Sequence, residues 1–139
     1  MVQLIAGSKG KGKTKYLIEK ANESVKTNHG TVVYLDKNNK HMYELSNRIR
    51  LINVSDYPVT NYDMFLGFIC GMLSQDHDLE TFYLDSFFNI AQVTEDYVEY
   101  VLKEIDLISR SFDVDFVISL SLDEEELPEE FRKNVIVSL

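Results

Sequence analysis

The residues of this sequence that could do chemistry begin at position 7. The stretch "GSKGKGKT" places Gly7, Gly12, Lys13 and Thr14 in the spacing G-x-x-x-x-G-K-[ST]. Each residue type in that pattern has a physical task. Glycines let the backbone turn sharply and aim successive N–H groups inward, with no Cβ in the way. A helix opening near Lys13 adds its positive amino end. Lys13 can reach the β- and γ-phosphates of a nucleotide, and the Thr14 hydroxyl can ligate Mg²⁺. Lys9 and Lys11 add positive charge, while Ser8 and Gly10 keep the loop small. The pattern follows the apolar run "VQLIA" and opens an amphipathic one, the setting a phosphate cradle requires. The bland alternative is a glycine-rich strand-to-helix turn that binds nothing.

A magnesium site also needs an acid at the end of another strand, close to the loop. Asp85 in "FYLDS" fits, because a mostly apolar strand buries its own length and delivers the acid at its carboxyl end. Asp36 in "VVYLD" has the same form. Ligands of open α/β sheets bind at the carboxyl ends of strands. An Asp closing a strand also serves as a plain helix cap, so each has a purely structural reading.

The remaining reactive side chains read as bland. His77 in "QDHDLE" lacks a second His or Cys nearby and reads as part of a solvated loop. His29 and His41 sit in turn-like segments without evident partners, although His41 near the loop could contact a ligand. Cys70 falls in an apolar helix and reads as inert core. A lone cysteine excludes an internal disulfide and suits a reducing cytoplasm.

The elements that must position these groups alternate along the chain. Residues 2–6, 31–36, 50–56, 81–87, 114–121 and 134–139 read as strands, mostly as continuous apolar runs. Residues 13–28 and 61–75 read as helices, as does a segment from a Thr94 cap to about Ser111; a short helix is expected over 42–49. Residues 123–133 read as an acidic connector with a helical turn. Met64, Phe65, Phe68, Ile69, Met72 and Leu73 form a wide apolar stripe that reads as core. Continuous apolar strands alternating with helices predict an α/β fold of three layers, α/β/α, around a mostly parallel sheet.

Composition sets the outer limits. The 139 residues, 45% of them apolar, suit a single domain spanning 1–139 with a sizeable core. The net charge of −9 argues against general nucleic-acid binding. That charge is unevenly placed. Residues 1–50 hold ten Lys/Arg against four Asp/Glu, a net of +6, and residues 51–139 hold four against nineteen, a net of −15. The positive half carries the glycine-rich loop, which favours a polyphosphate. The longest nearly unbroken apolar run, Met64 to Leu73, is too short to span a bilayer, and the first residues lack a signal-peptide layout. The expectation is a cytoplasmic protein with no nucleic-acid or membrane partner.

The loop, "VVYLD", "LINV" and "FYLDS" in this order resemble the ATPase core of RecA-like P-loop NTPases. The chain is also similar to small bacterial P-loop proteins often labelled twitching-motility ATPases. The likeness covers residues 2 to about 121. It implies a sheet in which the loop strand is central, between strands 114–121 and 134–139, with strand 81–85 beyond 114–121. It further implies that Ser119 or Ser121 senses the γ-phosphate. RecA-like cores place a catalytic glutamate after the second strand, and related ATPases place one after the magnesium-side Asp. Here those positions read Lys37-Asn38 and Ser86. Asp36, or an acid from 123–126, is then left to orient water, with Lys13 as the cation on the transferring phosphate.

Three functions follow as expectations. The first is a Mg-nucleotide-binding protein with weak or partner-activated NTPase activity; ATP is preferred because no guanine-reading Asn-Lys-x-Asp pattern occurs. The second is a small-molecule kinase with Asp36 as acceptor base, helped by Lys37 and His41. The third is a non-enzymatic module in which bound nucleotide stabilises a surface for a protein partner or a second copy.

Overall fold

A computed structural model describes residues 1–139. Six strands form one sheet: β1 (Val2–Ala6), β2 (Thr31–Asp36), β3 (Ile49–Asn53), β4 (Leu79–Leu84), β5 (Asp115–Leu120) and β6 (Val135–Ser138). Their spatial order is β3-β2-β4-β5-β1-β6, and every neighbouring pair is parallel. The strand before the loop thus lies between β5 and β6, with β4 beyond β5. It is internal, but one place from the edge. Every strand therefore points its carboxyl end the same way, and the segments that leave those ends meet along one rim.

Four helices cover the sheet: α1 (Lys13–Ser24), α2 (Tyr62–Gln75), the single-turn α3 (Phe87–Ile90) and α4 (Val98–Phe112). Alternate residues of each strand face opposite sides, and the two sides are covered differently. Leu4, Leu35, Phe82, Phe116 and Ile118 belong to a large buried cluster with Phe65, Ile69, Val101 and Ile105 of α2 and α4. Ile5, Tyr34, Tyr83 and Val117 belong to a smaller one with Leu17, Ile18 and Ala21 of α1. The chain is an α/β protein with helices on both faces of an all-parallel sheet. Cross-strand partners reinforce it. Phe82 lies opposite Phe116 with rings stacked at 4.9 Å, a contact worth about 1 kcal/mol beyond area burial. No helix is long and apolar enough to cross a membrane.

Several boundaries differ from expectation for local physical reasons. The first helix ends at Ser24, whose hydroxyl turns back to the Ala21 carbonyl, rather than at residue 28. No helix forms over 42–49; residues 42–48 run through turns and a bend, and Ile49 already opens β3. There the Asn22 side chain donates to the Glu44 carbonyl and accepts from the Ser46 N–H, which satisfies the backbone without a helix. The third strand stops at Asn53, whose side chain accepts from Ser55 N and opens a 3₁₀ turn over Val54–Asp56. The fourth begins at Leu79 and ends at Leu84, so Phe87 belongs to α3. Asn61 caps α2 by accepting from the Met64 N–H at 2.9 Å, a contact worth about 1 kcal/mol. Thr94 makes no such bond; a 3₁₀ turn over Glu95–Tyr97 leads into α4 instead. Residues 123–133 form short 3₁₀ turns.

The apolar stripe of α2 divides. Phe65, Ile69 and Leu73 are buried, Phe68 and Met72 only partly, and Met64 is exposed at 41%. Cys70 is exposed, not core, because it lies on the outer side of this helix.

Candidate functional site

The loop between β1 and α1 is shaped by backbone torsions that L side chains rarely adopt. Gly12, at φ 90° and ψ 20°, stands at the N-cap position of α1. A Cβ there would meet no neighbour, so glycine is required by torsion rather than by space. The Gly7 N–H donates to the Leu122 carbonyl at 2.8 Å, tying the loop to the segment after β5. Lys13 is buried at the start of α1 and its ammonium donates to the Ser8 carbonyl at 3.0 Å. Burial pushes its pKa down, while the charges of Asp85 and Asp123 act the other way.

Asp85 is the hub of the rim. It is 2% exposed, and its backbone N–H extends the β4–β2 pairing by donating to the Leu35 carbonyl. Its carboxylate accepts three hydroxyls. Thr14 Oγ1 donates to Oδ1 at 3.1 Å, Ser119 Oγ to Oδ1 at 2.9 Å, and the Tyr34 hydroxyl to Oδ2 at 2.7 Å. No buried side-chain polar atom of the chain is left without a partner. The chain then reverses at Ser86, which adopts φ 54° and ψ 53°, a conformation costing a non-glycine residue about 1–2 kcal/mol. Its N–H donates to Ser119 Oγ at 3.2 Å, which holds the turn. Such outliers persist where the surroundings over-determine them.

These residues border a cleft of about 450 Å³ along the carboxyl ends of β1, β5, β4 and β2. Lys9, Gly10, Gly12, Lys13 and Thr14 line it from the loop. Asp85, Ser86, Ser119 and Ser121 line its middle, and Lys37, Phe88 and Asn89 its far part. Three lysines and one carboxylate thus surround it, a local positive excess in a chain of net charge −9. Exposed backbone N–H groups, the amino end of a twelve-residue helix and three ammonium groups suit a polyanion.

Other expected residues lie elsewhere. Gly7, Ser8 and Lys11 shape the loop without lining the cleft. Asp36 is 3% exposed and does not line it either; its Oδ1 accepts the Lys37 N–H at 2.7 Å. Burial first and Asp85 second raise its pKa. Ser119 is fully engaged between Asp85 and Ser86, whereas Ser121 is exposed at the cleft. Of the acids in 123–126, Asp123 comes near enough for Lys13 to feel its charge, but none lines the cleft. His41 pairs with Glu44. His29 and His77 share a hollow at the amino ends of the strands with Asp78, Glu80 and Asp113. Nowhere do three or more His, Cys, Asp or Glu side chains form a group poised for a metal.

Two contributors escaped the sequence reading. Tyr34 was legible only as core, although a tyrosine in a buried strand signals a hydroxyl that needs a partner. Lys37 stood only as a helper to an acceptor, and its place in the cleft depends on how the chain leaves β2.

No protein-family model matches the chain, and a search of curated proteins finds none that matches.

Proposed function

We propose that the chain is a RecA-like P-loop protein that binds a Mg-nucleotide, with ATP preferred, and hydrolyses it weakly or only when a partner completes the site. The observation that carries this reading is the Thr14–Asp85 contact of 3.1 Å at the mouth of a lysine-lined cleft. It joins the last residue of the glycine-rich pattern to the acid expected beside it, across 71 positions of chain.

The donor set fits magnesium. Mg²⁺ is commonly held by one or two carboxylates together with substrate phosphates rather than by an all-protein cage. The Thr14 hydroxyl and Asp85 carboxylate are the residues that would hold it. Magnesium, when bound, neutralises phosphate charge. The chain's own part is electrostatic. Loop N–H groups and Lys13 would grip the phosphates, and the helix dipole of α1 would add to that grip. Lys37 would stand on the other side of Asp85, two strands further along the sheet than Ser119 and Ser121.

Low turnover is supported by what the cleft lacks. Asp85 is its single lining carboxylate, and three hydroxyls occupy it. No second carboxylate is placed to orient an attacking water. The kinase alternative has less support, because Asp36 does not line the cleft and its Oδ1 already accepts the Lys37 N–H. The single cysteine fits a cytoplasmic setting as part of the same reading.

Titration of Mg-ATP into the wild type and Lys13→Ala tests the proposal. Binding by the wild type that weakens by about tenfold or more in the variant is expected, given one lost charge-assisted contact. Equal affinity in the two proteins, or none in either, overturns it.

A further inference from the structure

Away from the cleft, the amino-terminal turn of α2 meets the start of α4, and an aromatic face forms there. The Tyr62 ring lies 5.6 Å from Tyr97 and 5.8 Å from Tyr100, centroid to centroid. Tyr62 is half-buried and anchors the group; Tyr97 is 52% exposed and Tyr100 47%. Of the tyrosine hydroxyls, only those of Tyr34 and Tyr83 bond within the chain, so these three polar tips are free.

The surrounding charge is mostly negative. Glu104 first, then burial, then Asp63 and Tyr62 push the Tyr100 pKa up, so both Glu104 and Asp63 sit close to its hydroxyl. Glu95, Asp96 and Glu99 add to the field from the same elements. The single cation there, Lys103, is already paired with Glu99 at 3.5 Å and Glu130 at 3.3 Å. Residues 51–102 contain no lysine or arginine at all. Exposed rings of this kind mark interaction surfaces more often than exposed aliphatic side chains do. Their negative π-faces, set beside Asp63, Glu95, Asp96 and Glu104, which form no ion pair, call for a cation.

We propose that the Tyr62–Tyr97–Tyr100 face is a docking surface for an arginine-bearing segment of a partner protein. Arginine suits it better than lysine. Its guanidinium is planar and weakly hydrated, stacks on a tyrosine ring, and still presents paired N–H donors to a carboxylate such as Asp63 or Glu104. This inference is independent of the nucleotide reading, since the face shares no residue with the cleft.

The test is calorimetric titration at physiological salt with a short peptide of arginines spaced by glycine, and with its lysine counterpart. The wild type is expected to bind the arginine peptide about fivefold more tightly than the lysine one. Tyr97→Ala/Tyr100→Ala keeps the net charge of −9 yet should weaken the arginine peptide by about tenfold. Glu124→Gln/Glu125→Gln/Glu126→Gln removes charge elsewhere and should stay within about twofold of wild type, because that segment is outside the face. Circular dichroism melts confirm folding, and Glu104→Lys, which reverses a charge without removing a ring, should also abolish binding. Equal binding of the two peptides overturns the proposal, as does full binding by the tyrosine variant. Loss in the Gln variant equal to that in the tyrosine variant would reduce the effect to overall charge and overturn it too. Sedimentation showing a wild-type dimer that the tyrosine variant breaks would assign the face to a second copy instead.

Discussion

The Tyr34 hydroxyl donates to Asp85 Oδ2 at 2.7 Å inside the protein, joining two residues 51 positions apart. Tyr34 and Tyr83 are register partners on neighbouring strands, with rings stacked at 6.3 Å, so the position of that hydroxyl is fixed by the sheet itself. Burial, with Asp85 second, drives the Tyr34 pKa far above its usual value, so the phenol stays a donor at every working pH. Tyr34 therefore positions Asp85 without touching the cleft. Tyr34→Phe keeps the ring and leaves Oδ2 buried without its donor. A loss of about 1.5–3 kcal/mol in denaturant unfolding is expected, as for a hydrogen bond to a charged group. Under the nucleotide reading the variant should also need more magnesium for the same ATP affinity, which a merely structural role would not produce.

Asp85→Ala should abolish the magnesium dependence of nucleotide binding. Affinity measured with magnesium should fall to the value that the wild type shows in EDTA. A variant that still binds more tightly with magnesium would show that another group holds the cation.

Lys37 lines the same cleft as Lys13 but enters from the end of β2, beyond Asp85. Under the nucleotide reading, a cation there would face the far end of a phosphate chain held by the loop. Lys37→Ala should weaken ATP by about tenfold, one charge-assisted contact, while changing ADP little. Competition binding with the two nucleotides reads this directly. An equal loss for both would place Lys37 at an inner phosphate.

Asp36 carries a stability cost that pH can expose. Its pKa is raised above the ordinary 3.8 by burial and by Asp85, so the folded chain holds this proton more tightly than the unfolded one. Folding is then favoured at low pH, and the contribution is lost as pH rises through the folded-state pKa. Asp36→Asn should melt higher than the wild type at neutral pH, since its side-chain oxygen can still accept the Lys37 N–H. That advantage should shrink as pH falls toward 3.8 and vanish below it, where the wild-type carboxyl is neutral in both states. Thermal melts across this range check the sign.

By itself the sequence determined which segments could be strands and helices and where the glycine-rich turn falls. Those features are local. The continuous apolar runs of β1, β2, β4 and β5 need burial on two faces, and Gly12 needs a torsion that other residues resist. It also singled out Asp85, because an acid directly after such a run must emerge at the sheet's rim. What became of each rim residue was decided only by the tertiary structure. Asp36 and Asp85 end similar strands, yet one turns back onto the next N–H and the other gathers hydroxyls from three other elements. The outcome depends on which neighbours the order β3-β2-β4-β5-β1-β6 brings alongside, and no local pattern encodes that order. The same holds for Cys70, whose helix buries only one side, and for residues 42–49, where one asparagine of α1 satisfies the turns in place of a helix. Periodicity reports that a face will be covered; the packed neighbours decide which face, and which polar groups meet there.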